Sequence, residues 1–189
     1  MTEVLSEAEY AFLVAAADTL IPADDLSPSG SDCGVVDFIA RELAGPYGQG
    51  ARLYRDGPIQ KGKPEQGYQL RLTPRELIAA GVAAADAWTR KTYGNEFAGL
   101  SAGDRVAAMQ ALENGTADFP DFSSRDFFEV LLSLTMEGFF SDPIHGGNRD
   151  CASWKMVGYP GQPANYRDAI DSHRGKRFGR APQSLADVK

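Results

Sequence analysis

The segment "FFEVLLSLTMEGFF", Phe127 to Phe140, constrains this chain more than any other. It is apolar nearly all round a helical circumference, and a helix of that kind is stable only with other elements packed on every side. A helix beginning near Ser124 is therefore expected at the centre of the domain. The rest of the chain must supply its covering layer.

The covering segments read as helices. Ser6 followed three residues later by Glu9 predicts a capping box. After it, Tyr10, Leu13, Val14, Ala17, Leu20 and Ile21 recur at helical spacing up to Pro22. Val35, Phe38, Ile39 and Leu43 fall on one face of a second helix that stops at Gly45-Pro46. Thr73, Pro74 and Glu76 open a third, which runs to about Tyr93 with Gly94 as its stop. Its alanine-rich middle suits close helix approach. Ser101 and Asp104 open a fourth, with Val106, Met109 and Leu112 expected inward. No strand-period hairpin and no internal repeat is visible. The expected fold class is all-α: one irregular domain over 1–189 with about five helices, and an extended C-terminal tail over 167–189.

Two stretches break the helical pattern. Residues 45–72 hold five glycines beyond Gly45, three prolines and three tyrosines, without a sustained period. A loop this long in a compact domain is functional or disordered. Tyr47, Tyr54 and Tyr68, with Leu53, Ile59 and Leu70, are too apolar for disorder, so an ordered, wrapping loop is expected. The second stretch, "DPIHGGNRDCASWKMVGYPG", places His145, Asn148, Arg149 and Asp150 in one short loop ahead of Trp154 and Tyr159.

The 26 acidic residues outnumber the 19 basic ones, a net charge of −7. That excludes non-specific nucleic-acid binding, which needs clustered cations. The one basic cluster, "HRGKRFGR" at His173–Arg180, reads as a solvated tail. No apolar run approaches the roughly 18 residues of a membrane span. The acidic start "MTEVLSEAEY" lacks the basic region of a leader. Cys33 and Cys151 belong to no C-x-x-C pair. They read equally as two buried thiols or as one long-range disulfide, which would stabilise by about 4–5 kcal/mol in an oxidising compartment.

Chemistry is weakly signalled. There is no G-x-S-x-G elbow, P-loop or haem motif, and no G-x-G-x-x-G follows a strand. "GPYGQG" at Gly45–Gly50 lacks the flanking strand and helix of a phosphate loop. Asp142, His145, Asn148 and Asp150 are metal ligands by type, without the spacing of an EF-hand or an H-E-x-x-H pair. The aromatic and arginine residues of the two loops are the types enriched in interface centres.

The combination "TLIPADD", "GVVDFI", "GPYGQGARLY", "PEQGYQL", "LTPREL" and "MEGFFSDPIHGGNRDCASWKMVGYPG" resembles the gluconate 2-dehydrogenase subunit 3 family, from about Ser6 to Tyr166. The resemblance implies a small subunit without a cofactor of its own. Its large partner would carry FAD on a glucose–methanol–choline type fold, and a cytochrome c would accept the electrons. It also implies a periplasmic location, reached by a twin-arginine leader that this chain does not display; a complete chain of this sequence would instead be cytoplasmic. In a periplasmic setting the Cys33–Cys151 disulfide becomes the preferred reading. His145, Asn148, Arg149, Asp150, Trp154, Tyr159, Tyr47, Tyr54 and Tyr68 are then expected to face the partner or the rim of its sugar pocket. The rival expectations are a stand-alone enzyme, metal-dependent or His-based, built on the Asp142–Asp150 loop, and a cytoplasmic helical adaptor.

Overall fold

The computed structural model describes residues 4–51, 53–54, 56–60, 62–63, 66–162 and 165–188. Arg52, Pro64 and Glu65, within two of the motifs above, lie outside the described residues. Five helices form the body: α1 (Glu7–Leu20), α2 (Val35–Ala44), α3 (Pro74–Tyr93), α4 (Ala102–Glu113) and α5 (Ser124–Phe140). Two short ones follow, α6 (Ala152–Val157) and α7 (Arg167–Ile170). No strand occurs among the described residues, and the protein is all-α. No described helix is long and apolar enough to cross a membrane.

The capping chemistry works as the residue types dictate. The Ser6 and Glu9 side chains each bind the other's backbone amide at the start of α1, and Thr73 and Glu76 do the same for α3. Glu9 has a second task, because both of its oxygens accept from the Arg75 guanidinium, at 2.6 and 3.0 Å. This bidentate pair ties the start of α1 to the start of α3.

Helix α5 sits at the centre and packs on α2, α3 and α4. Phe127 meets the ring of Phe12 from α1 at 5.9 Å, and Phe12 meets Phe97 at 4.7 Å. All three are fully buried. Gly81 of α3 lies against Phe127 so closely that a Cβ there would overlap the ring. This is close approach at its limit, and a glycine makes it possible.

Val106, expected inward, faces solvent, and so does Tyr10, the first residue of the α1 repeat, whereas Phe12, Ala15 and Ala16 are buried. The core-facing stripe of α1 is thus rotated, because phenylalanine and small alanines, rather than the tyrosine, fit against Phe97 and Phe127. The described residues of the loop after α2 are unevenly packed. Tyr47 rests on the core, and Tyr68 donates to Leu72 O at 3.2 Å. Tyr54 is 74% exposed, its hydroxyl donating to Gly57 O.

Candidate functional site

The chain leaves α5 through Ser141 and makes a 3-10 turn over Pro143–His145, capped by Asp142, whose Oδ1 accepts from Ile144 N at 3.1 Å. Gly146 follows at φ 102°, with Gly147 pressed against the Gly138 carbonyl. Asn148, Asp150 and Cys151 then take φ values of 44°, 57° and 53°. Left-handed backbone costs roughly 1–2 kcal/mol at an ordinary residue such as Cys151 and less at asparagine or aspartate. Three such residues within four positions persist only if the surroundings hold them.

Asn148 supplies that hold. It is fully buried. Its Nδ2 donates to Ser141 O at 2.9 Å, and its Oδ1 accepts from Ser153 N at 3.0 Å and Ser153 Oγ at 2.8 Å. The side chain closes the loop on itself. This corrects the expectation of a partner contact at Asn148, because none of its surface is accessible.

Arg149 clasps the loop to the segment between α1 and α2. Its amide donates to Cys33 O at 2.9 Å, and its guanidinium donates to Asp32 O at 2.7 Å and to Asp37 Oδ2 at 3.1 Å. Gly34, at φ 80°, sits under this clasp, where a Cβ would lie 2.6 Å from Gly146 O. The guanidinium is half exposed, as are its partners, so the Asp37 ion pair adds little by itself. Its effect is positional. Asp150 and His145 stay exposed beside it.

The loop then enters α6, a helix too short for periodicity to reveal. Trp154 is 6% exposed, and its indole donates to Phe140 O at 2.9 Å. It too is structural, which corrects its expected place in the contact surface. Tyr159 packs edge-on against the indole at 5.0 Å and remains partly exposed. Tyr47 is held in its neutral form, because burial, then Glu137 and Glu42, push its pKa up.

The chain's last segment contributes a feature the sequence reading did not anticipate. Ser184 and Asp187 form a capping box, and the turn they make docks on Asp142. Ser184 Oγ donates to Asp142 Oδ1 at 2.6 Å, and Leu185 N donates to Oδ2 at 2.9 Å. Burial alone would raise the Asp142 pKa. The hydrogen bonds from Ser184, Leu185 and Ile144, with His145 nearby, hold it below the usual carboxylate range. Gln183 also pairs with the stretch after α6: Gln162 N donates to Gln183 O at 2.8 Å. The end of the expected tail is therefore a docked strap. Its signal was present as Ser-x-x-Asp, 42 residues from its acceptor.

Cys33 and Cys151 are both buried free thiols, so the expected disulfide is not formed here. The Cys33 sulfur faces Pro28 O, at 3.7 Å. Burial, then Asp32, raises its pKa; burial also raises that of Cys151, despite Lys155. A raised thiol is a poor nucleophile. The oxygens of Asp142 are occupied by the strap and Asn148 is turned inward, so the four ligand types of the loop do not converge. Among the described residues no group of three or more His, Cys, Asp or Glu is placed to hold a metal. The Gly45–Gly50 amides are used internally: Gly48 N donates to Glu42 O, Gln49 N to Gly45 O and Gly50 N to Tyr47 O. That stretch does not fit the pyrophosphate of a dinucleotide, which needs such donors unspent.

The family model for gluconate 2-dehydrogenase subunit 3 matches residues 7–161. The chain belongs to that family. Comparison with curated proteins and with solved structures gave no significant match. The gluconate 2-dehydrogenase subunit 3 match takes in α1 to α6 and the whole Asp142–Asp150 loop, and it ends just before the segment that carries α7 and the strap. Membership supports an accessory subunit of a dehydrogenase complex, with a larger catalytic partner.

Proposed function

We propose that this chain is the small accessory subunit of a periplasmic, FAD-dependent dehydrogenase acting on a sugar, sugar acid or glucoside, and that it stabilises and escorts the catalytic flavoprotein. The observation that carries the reading is the family match over residues 7–161. The site geometry supports it in a second way. Buried Asn148 and Trp154 hold a loop whose outward side chains include Ile144, His145, Arg149, Asp150 and Tyr159. A rigid, pre-ordered loop loses little entropy on docking, which favours a contact surface.

In this reading FAD, the hydride transfer and the general base belong to the partner, and a cytochrome c receives the electrons. The chain's own residues position that partner. The test is isolation of the tagged chain from its native host under mild conditions. A large subunit with a flavin spectrum and sugar-dependent dye reduction is expected to accompany it. Recovery of the chain without any dehydrogenase component, or with sugar oxidation by the chain alone, refutes the reading.

A further inference from the structure

Residues 167–180 carry Arg167, Arg174, Lys176, Arg177 and Arg180 against Asp168 and Asp171, a net +3, so the rest of the chain carries −10. This concentration of positive charge is ordered. Phe178 is wedged edge-on between His173, at 4.9 Å, and Tyr166, at 5.9 Å. The Tyr166 hydroxyl donates to Gly161 O at 2.9 Å, and His173 N donates to Ala169 O at 3.0 Å. Beyond Arg180 the backbone is pinned again by the Gln162–Gln183 pairing and the Asp142 clasp. A solvated tail is tied at neither end; this knuckle is tied at both.

Every residue from 171 to 180 is nevertheless exposed. The ion pair of Arg174 with Asp171 is almost wholly in water and spends little of either charge. Exposed apolar side chains share this part of the chain with the cations: Ile170 and Phe178 within the knuckle, and Leu185 and Val188 on the strap that follows it. Arginine mixed with exposed apolar and aromatic side chains is the composition of an interface. The whole feature lies outside the family-matched residues.

We propose that this basic knuckle, residues 166–180, grips an acidic patch on the large dehydrogenase subunit, as a second contact besides the Asp142–Asp150 loop. The inference rests on the accessory-subunit reading above. An acidic protein patch fits better than an anionic membrane. An extended anionic bilayer facing the knuckle would also face acidic groups of the body beside it and be repelled by those within a Debye length of about 8 Å, whereas a local acidic patch need face the cations alone. Screening over that distance makes the contact salt-sensitive.

The test uses the full chain, tagged and co-expressed with its large subunit, as wild type, as R174E/K176E/R177E/R180E, and as the corresponding four-glutamine variant. All four side chains are exposed, and the bonds of Arg174, Lys176 and Arg180 stay within the knuckle and the strap, so the melting curves should differ little. Retention of the large subunit should fall at least tenfold in the glutamate variant and less in the glutamine variant, and wild-type retention should fall as salt rises. Equal retention by all three chains, or retention indifferent to salt, overturns the proposal. So does binding of the wild-type chain to phosphatidylglycerol vesicles that the glutamate variant loses while keeping its large subunit. Absence of any dehydrogenase subunit from the wild-type preparation instead refutes the accessory-subunit reading on which the knuckle's role depends.

Discussion

Replacing Asn148 by alanine is the sharpest structural test of the late loop. The side chain is fully buried and makes three hydrogen bonds, one to Ser141 O and two from Ser153. Alanine removes all three and leaves buried partners unpaired, at roughly 1 kcal/mol or more each. It must also hold a φ of 44°, which asparagine tolerates and alanine does not, adding about 1 kcal/mol. The expected loss is about 3–5 kcal/mol. For a chain of 189 residues that corresponds to a fall in Tm of roughly 8–15 °C. Asn148→Gly separates the two contributions, because glycine accepts the backbone angle and only the hydrogen bonds are lost; it should be milder by about 1 kcal/mol. Urea unfolding of the three proteins, with coincident fluorescence and circular dichroism transitions, measures the differences. A loss below about 1 kcal/mol for Asn148→Ala would refute the claim that this residue holds the loop.

Three further predictions probe other levels. Gly81→Ala should destabilise by about 1–3 kcal/mol through overpacking against Phe127, outweighing alanine's helix preference; a stabilised variant on urea unfolding would show that α3 and α5 are not pressed together there. Asp142→Ala should free the Ser184–Asp187 strap, seen as faster hydrogen exchange at the Leu185 amide with little change in Tm. Because the folded pKa of Asp142 is lowered, the wild-type clasp is at full strength above the unfolded carboxyl value, and it should be lost as pH falls through the folded one; protection that stays constant across that window would contradict this. Asp86 is buried, and burial, with Glu96 adding to it, raises its pKa against the opposing Phe97 amide bond and Arg90, so its ionisation costs stability as pH rises through the folded value. Asp86→Asn should then be at least as stable as wild type at pH 7, and that advantage should shrink in acid; a constant difference between the two melting curves at all pH values would count against it.

The helical body was legible because its signals are local. Ser6 with Glu9, Thr73 with Glu76 and the stop at Gly94 each act within one or two turns, and each marks an observed boundary. The packing of α5 against α2, α3 and α4 followed from its many apolar residues, although Ser133, Met136, Glu137 and Phe140 leave one stripe of it exposed. The inward face of α1 was harder to read, since Tyr10 and Phe12 compete for it and only the tertiary fit to Phe97 and Phe127 decides. The late loop was recognisable as special, but the division of labour within it was not. Asn148 and Trp154 look like contact residues by type, yet both are spent on backbone groups of the same segment. Whether a polar side chain turns in or out depends on neighbours that fold around it. The strap illustrates the same limit, because Asp142 and Ser184 share no local pattern.

In the proposed function this helical protein positions a larger flavin-bearing partner, and the redox chemistry belongs to that partner. The most direct measurement is sugar-dependent dye reduction by the large subunit produced with and without this chain, alongside the chain alone. Soluble, active flavoprotein is expected only when both are present, with no turnover by the small chain. Turnover by the small chain alone, or a large subunit equally soluble and active without it, would contradict the account.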